Sequence, residues 1–207
     1  MKKVNILAIG AHPDDIEFGC GGTLIKYRDK GHRIYLLVMT EGGMGSQTSV
    51  RAGEQLSSQA ILGAEEVFWG GYEDTHLMAD QEMINKIEKV ISTVRPVFIF
   101  CNFIDDTHQD HRHLAQATIS ATRYIRNVLF YEGPTTQNFS PHVFVDISDT
   151  LDRKIKALEA HRSQFTKTNI EDMTIAELAR SSANFRGIQS RVKYAEAFHS
   201  LRLFINV

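Results

Sequence analysis

Cysteine is scarce in this chain: Cys20 and Cys101 are the only two among 207 residues. They form no CxxC pair, so a metal or redox motif built on thiolates is excluded, and reduced thiols in a cytoplasmic protein are the expectation. A surplus of positive charge is missing as well. With 23 Lys and Arg against 25 Asp and Glu, a formal charge of -2 and a pI near 6.5, no broad face attracts nucleic acid or an anionic membrane. Long apolar runs are also lacking. The N-terminal segment MKKVNILAIG carries about six apolar residues before it meets an acidic cluster, too few for a signal peptide or a membrane span. No internal repeat, low-complexity tract or linker interrupts the chain. What is present is a composition 43% apolar and 23% charged, enough to bury one core, so residues 1–207 are expected to form a single domain.

Aliphatic runs of strand length at Val4 to Ile9 and Ile34 to Met39 flank an amphipathic stretch from about Thr23 to Lys30 that stops at Gly31, a strand, helix, strand unit. The pattern repeats with a helix from Arg51 to Leu62, a short strand at Val67 to Trp69, a helix from Gln81 to Val94 and a strand at Val97 to Cys101. A helix from His111 to about Arg126, strands near Val128 to Tyr131 and His142 to Val145, a helix from Asp149 to Gln164, and a polar helical stretch from Thr174 to Phe198 complete the reading. The fold class is therefore α/β, Rossmann-like, with a mainly parallel central sheet and helices on both faces.

Ligands of such sheets bind beyond the carboxyl ends of the strands. Three loops reach that edge: IGAHPDDIEFGCGG after the first strand, EGGMGSQT after the second, whose glycines indicate a mobile loop, and IDDTHQDHRH after the strand ending at Cys101. Taken singly, an Asp before a helix is an ordinary N-cap and a loop His is usually solvated. Together, Asp14 and Asp15 repel each other unless a cation or a shared proton lies between them. A divalent ion of the zinc class accepts imidazole and carboxylate ligands, so His12 and Asp15 can supply two, and one histidine among His108, His111 and His113 a third. Asp14 then stands beside the open position as a general base for metal-assisted hydrolysis.

The AHPDD segment, the glycines after it and the later H-x-D-H element, together with YEGP, HRSQF and YAEAF, resemble the LmbE-like (PIG-L) superfamily of metal-dependent de-N-acetylases over most of the chain. The resemblance implies a hydrolase that removes the acetyl group of an N-acetylglucosamine-type amino sugar or its conjugate, releasing acetate and an amine. It implies that His12, Asp15 and His111 hold one divalent metal, zinc or alternatively ferrous iron, and that Asp14 is the general base. It further implies that His108 stabilises the oxyanion or protonates the leaving amine, that Asp110 holds the His108 ring, and that Arg51 grips substrate hydroxyl groups. Members of the superfamily often self-associate, so a homo-oligomer is within expectation, although no long apolar stripe marks an interface. Where the element commonly has proline this chain has Gln109, which loosens the loop and removes no ligand.

His113 reads as a solvent-facing helix residue, His76 and His161 as structural, and Tyr194 and Glu196 as braces of the fold. Two other functions compete. GCGG with Glu41 about twenty residues on resembles a dinucleotide-binding fingerprint, opposed by Leu24 at the third glycine position and by the acids at the phosphate site. A non-catalytic sugar- or metal-binding module is opposed by the presence of Asp14, His108 and Asp110. Specificity is assigned to the loops Gly42 to Thr48, Gly71 to Ala79 and Thr135 to Ser140.

Overall fold

A computed structural model describes residues 3–168 and 170–205. In chain order the elements are β1 (Asn5–Gly10), α1 (Asp15–Asp29), β2 (Arg33–Thr40), α2 (Thr48–Leu62), β3 (Glu66–Tyr72), α3 (Gln81–Val94), β4 (Phe98–Asn102), α4 (Gln109–Ala121), β5 (Asn127–Tyr131), β6 (Val143–Asp146), α5 (Leu151–Glu159), α6 (Ile175–Ser190) and β7 (Ala195–Arg202). The sheet order is β3-β2-β1-β4-β5-β7-β6. Strands β1 to β5 are parallel, and β7 runs antiparallel to both of its neighbours.

The aliphatic runs become parallel strands because both of their faces are covered. Leu7 and Ile9 of β1 join Leu37, Ile99 and Cys101 under α3 and α4, whereas Ile6 and Ala8 join Ile34, Leu36 and Phe100 under α1. Each side chain along the strand therefore leaves water, and alternation of polar with apolar residues disappears. The connections from β1 leave toward β2 on one side while β4 pairs on the other, so the order reverses between β1 and β4. Loops that leave adjacent strands in opposite directions open a crevice at their carboxyl ends. Tyr131 holds that edge together: its hydroxyl donates to the Ile9 carbonyl at 2.8 Å and lies 3.1 Å from Asn102 Oδ1, which in turn accepts the Ala11 N–H at 3.2 Å.

Helices α4 and α5 end about five residues before the bounds read from the sequence, and two other segments depart further. Helix α1 starts at Asp15 rather than near Thr23, and Gly19, Gly21 and Gly22 are interior to it instead of forming a turn. Close packing explains the glycines: a Cβ on Gly19 would overlap the Tyr131 ring, and one on Gly22 would meet Ile147 at 2.9 Å. The helical reading also overruns at the far end. Helix α6 ends at Ser190, Arg191 turns the chain with φ 65°, and Ala195–Arg202 is a strand. The helix-favouring run AEAF is taken into the sheet because β5 and β6 both pair with it, and such pairing outweighs local propensity.

Glu196 of β7 contributes the other brace. Its carboxylate accepts the Gly22 and Thr23 N–H groups at 2.9 and 2.7 Å and pairs with Lys154 Nζ at 2.6 Å, while Lys154 also donates to the Phe18 carbonyl at 2.6 Å. Both side chains are buried. Replacing Glu196 by Ala leaves the Lys154 ammonium in the core without a counter-charge, and a loss of about 3–5 kcal/mol of stability is expected. Urea denaturation of the two proteins measures it, and a loss below about 1 kcal/mol contradicts the bracing role. No helix among the described residues is long and apolar enough to cross a membrane.

Candidate metal centre and active site

After β1 the chain is held by Thr40, whose N–H and hydroxyl both donate to the Ala11 carbonyl at 3.0 Å. Asp14 then adopts φ 92°, ψ -22° as the residue before α1, a left-handed conformation that Asp tolerates better than most non-glycine residues. Although at the N-cap position, its carboxylate makes no cap bond and instead lines the cavity, 3.4 Å from Arg51 Nη2. On the other side of the crevice His108 is the N-cap of α4 through its ring, with Nδ1 accepting the Asp110 N–H at 3.3 Å. Asp110 and His111 thereby fall in the first helical turn and face the AHPDD loop.

The two loops meet around three imidazoles. Ring centroids of His12 and His108 are 4.6 Å apart, those of His108 and His111 4.8 Å, and those of His12 and His111 5.4 Å. One Asp15 oxygen accepts the His12 backbone N–H at 2.9 Å and sits 3.5 Å from His12 Nδ1 and 3.3 Å from His111 Nε2. Among the described residues, two sets of donors are compact enough to hold an ion: His12 with His108 and His111, and His12 with Asp74 and Asp110. Both ring nitrogens of His111 are buried without an aligned hydrogen bond, which costs free energy unless another partner takes them. A metal ion bound by imidazole and carboxylate would take one of them, with Asp106 or Asp15 beside the other, so the donor chemistry fits one.

Charge is concentrated here. Burial pushes the Asp14 carboxyl up to about 6, with Arg51 and His161 pulling the other way. Against its own burial, Asp15 is held well below the usual carboxylate range by His111 and His12. Burial also opposes protonation of His111, but Asp15 and Asp106 raise its pKa to about 9. His108 is lowered by burial and by the neighbouring His12 and His111. The cavity around these groups measures about 370 Å³, with Met44, Thr75, Thr135 and Lys167 among its rim residues and Phe18, Ile175 and Leu178 as an apolar wall.

Of the site residues read from the sequence, His12, Asp14, Asp15, Arg51, His108 and His111 all line this cavity. Arg51 is 5% exposed, and its guanidinium donates to the carbonyls of Pro13 at 2.5 Å and Gly42 at 3.2 Å, so it ties the first two loops together beside Asp14. Asp110 departs from its expected partner. Its carboxylate lies 3.1 Å from His12 Nε2 and accepts the N–H groups of Thr75 and Leu77, because the ring of His108 caps the helix by binding the backbone of residue 110 rather than its side chain.

His113 is half-buried rather than solvent-facing, with Nδ1 2.5 Å from the Leu77 carbonyl. His161 is buried 3.5 Å from Glu17 Oε1, His76 is exposed, and the carboxylate of Glu196 is engaged within the fold. Asp74 and Asp106 escaped the sequence reading. Asp74 Oδ1 stands 3.0 Å from His12 Nε2, and Asp106 Oδ2 stands 3.2 Å from His111 Nδ1. Each is an acid just beyond the carboxyl end of a parallel strand, and that position was the available signal. The loop after β2 is fastened as well: the Gly45 carbonyl accepts from Gln164 at 3.2 Å and from Lys167.

Residues 7–122, which include both the AHPDD and HQDH segments, match the PIG-L family, described as GlcNAc-PI de-N-acetylase. The chain belongs to this family. Relatives of the PIG-L protein carry deacetylase names. It is 37% identical over 172 residues to the uncharacterized deacetylase YaiS of Escherichia coli (strain K12), covering 78% of this chain and 92% of that one. It is 30% identical over 222 residues to the diacetylchitobiose deacetylase of Thermococcus kodakarensis, covering 95% and 82%. The solved structure of N,N'-diacetylchitobiose deacetylase from Pyrococcus horikoshii in complex with an inhibitor superposes with a TM-score of 0.85 at 27% identity, over 95% of this chain and 83% of that one.

Proposed function

We propose that this PIG-L protein hydrolyses the acetamide of an N-acetylglucosamine-type amino sugar or its conjugate, using one zinc ion held by His12, Asp15 and His111. The observation that carries the proposal is the meeting of the AHPDD and HQDH loops at one cavity, with the Asp14 carboxylate on its wall. When bound, the metal supplies Lewis acidity toward the amide carbonyl and makes water acidic enough to deprotonate near neutral pH. Asp14 accepts that proton on its carboxylate as the water oxygen adds to the acetyl carbon. His108 is set up to donate: because Nδ1 accepts a backbone N–H, the neutral ring carries its hydrogen on Nε2, which steadies the developing oxyanion. As the C–N bond breaks, the proton that Asp14 took from water passes to the leaving nitrogen, and acetate and the free amine depart. Arg51, fixed by the carbonyls of Pro13 and Gly42, keeps Asp14 in place and presents an edge of its guanidinium to substrate hydroxyl groups.

The dinucleotide reading loses its motif, since the glycines of GCGG are packed inside α1. Elemental analysis of the purified protein, followed by an amine-release screen over N-acetylglucosamine derivatives, tests the proposal. Stoichiometric zinc is expected, with amine release that a chelator removes and added zinc restores. Iron in place of zinc corrects the metal alone, whereas zinc-loaded protein that releases no amine from any member of the screen overturns the function.

A further inference from the structure

We infer that Asp110 is a positioning residue for the imidazole of His12 rather than for that of His108; the inference rests on the ligand set proposed above. Asp110 is fully buried and its Oδ2 lies 3.1 Å from His12 Nε2. The carboxylate cannot rotate away, because Oδ2 also accepts the Thr75 N–H at 2.8 Å and Oδ1 the Leu77 N–H at 3.3 Å. Both backbone donors belong to the loop after β3, and that loop is itself pinned by His113 on the Leu77 carbonyl.

A carboxylate only accepts, so the hydrogen of a neutral His12 ring sits on Nε2 and the lone pair is left on Nδ1. Nδ1 is the nitrogen on the Asp15 side, 3.5 Å from its Oδ2. Asp110 thus selects the tautomer in which His12 offers a lone pair toward Asp15 and His111, the role a carboxylate plays behind a metal-ligating histidine. Asp74 Oδ1, 3.0 Å from the same Nε2, adds negative charge on that side. His108 needs no side chain at position 110 for its orientation. Its Nδ1 is satisfied by the backbone N–H of residue 110, which any amino acid except proline supplies.

Asparagine at position 110 keeps the shape but must aim an NH2 group either at the Leu77 N–H or at those of His12 and Thr75 together. Isothermal titration of metal-free protein with zinc alone reads the consequence. Asp110→Asn is expected to bind zinc about 10- to 100-fold more weakly than wild type, with an unchanged far-ultraviolet dichroism spectrum and with turnover recovering to within a few-fold at saturating zinc. A folded variant with wild-type zinc affinity and reduced turnover at saturation overturns the inference in favour of a role behind His108. Should the variant fail to fold, nitrogen-15 spectra of the histidines in zinc-loaded wild type decide: hydrogen on His12 Nε2 upholds the inference and hydrogen on Nδ1 sinks it. Wild-type protein that binds no zinc removes the ligand set itself, and this inference with it.

Discussion

Replacing Asp14 by asparagine is expected to cut turnover by about 10² or more while metal content stays at the wild-type level, because the variant loses the proton acceptor and keeps the shape of the side chain. Three features make the substitution clean. Asparagine tolerates the left-handed backbone at φ 92° about as well as aspartate does, so the turn into α1 survives. The Asp14 side chain is 24% exposed, and Arg51 beside it keeps its bonds to the Pro13 and Gly42 carbonyls, so the loop retains its anchors. Asp15, not Asp14, has the oxygen that stands between His12 and His111, so the proposed ligands are untouched. Steady-state amine release and elemental analysis on the same preparation separate the outcomes. Metal loss in a folded variant would move Asp14 into the ligand set, and turnover within tenfold of wild type at full occupancy would deny it the role of base.

Legibility in the sequence followed how strongly each segment's own residues decide its structure. Helix α3 was readable to the residue, Gln81–Val94, because its apolar positions follow a helical period: Met83, Ile87, Val90 and Val94 are the buried ones. Strands β1 and β2 were readable because burial on both faces leaves an unbroken aliphatic run. β7 was not, since Ala195, Glu196 and Ala197 favour a helix and become a strand only through pairing with β5 and β6. The same logic divides the site. Density of His and Asp in AHPDD and HQDH disclosed the centre. Asp74, one of two adjacent acids in YEDTH, became recognisable only when the order of strands placed β3 on the same edge, and the direction of the Asp110 carboxylate depended on a loop 33 to 35 residues away in the chain.

Truncating His111 to alanine should produce the opposite signature from Asp14→Asn: metal lost first, activity lost with it. His111 is 5% exposed in the first turn of α4, with Nε2 3.3 Å from Asp15 and Nδ1 3.2 Å from Asp106. Alanine suits a helix and does not disturb the turn, but the imidazole that separates these two acids disappears. Asp14, Asp15, Asp74 and Asp106 then crowd one end of the crevice with less positive charge among them, and the proposed metal set is short of one nitrogen. Removing a carboxylate behind a metal ligand typically costs 10- to 100-fold in affinity, so removing the ligand itself should cost more than about 100-fold. Titration of the metal-free variant with zinc, with amine release followed at each point, measures both quantities. Full occupancy with normal turnover would strike His111 from the set and leave His12 and His108 as the imidazoles close enough to share an ion.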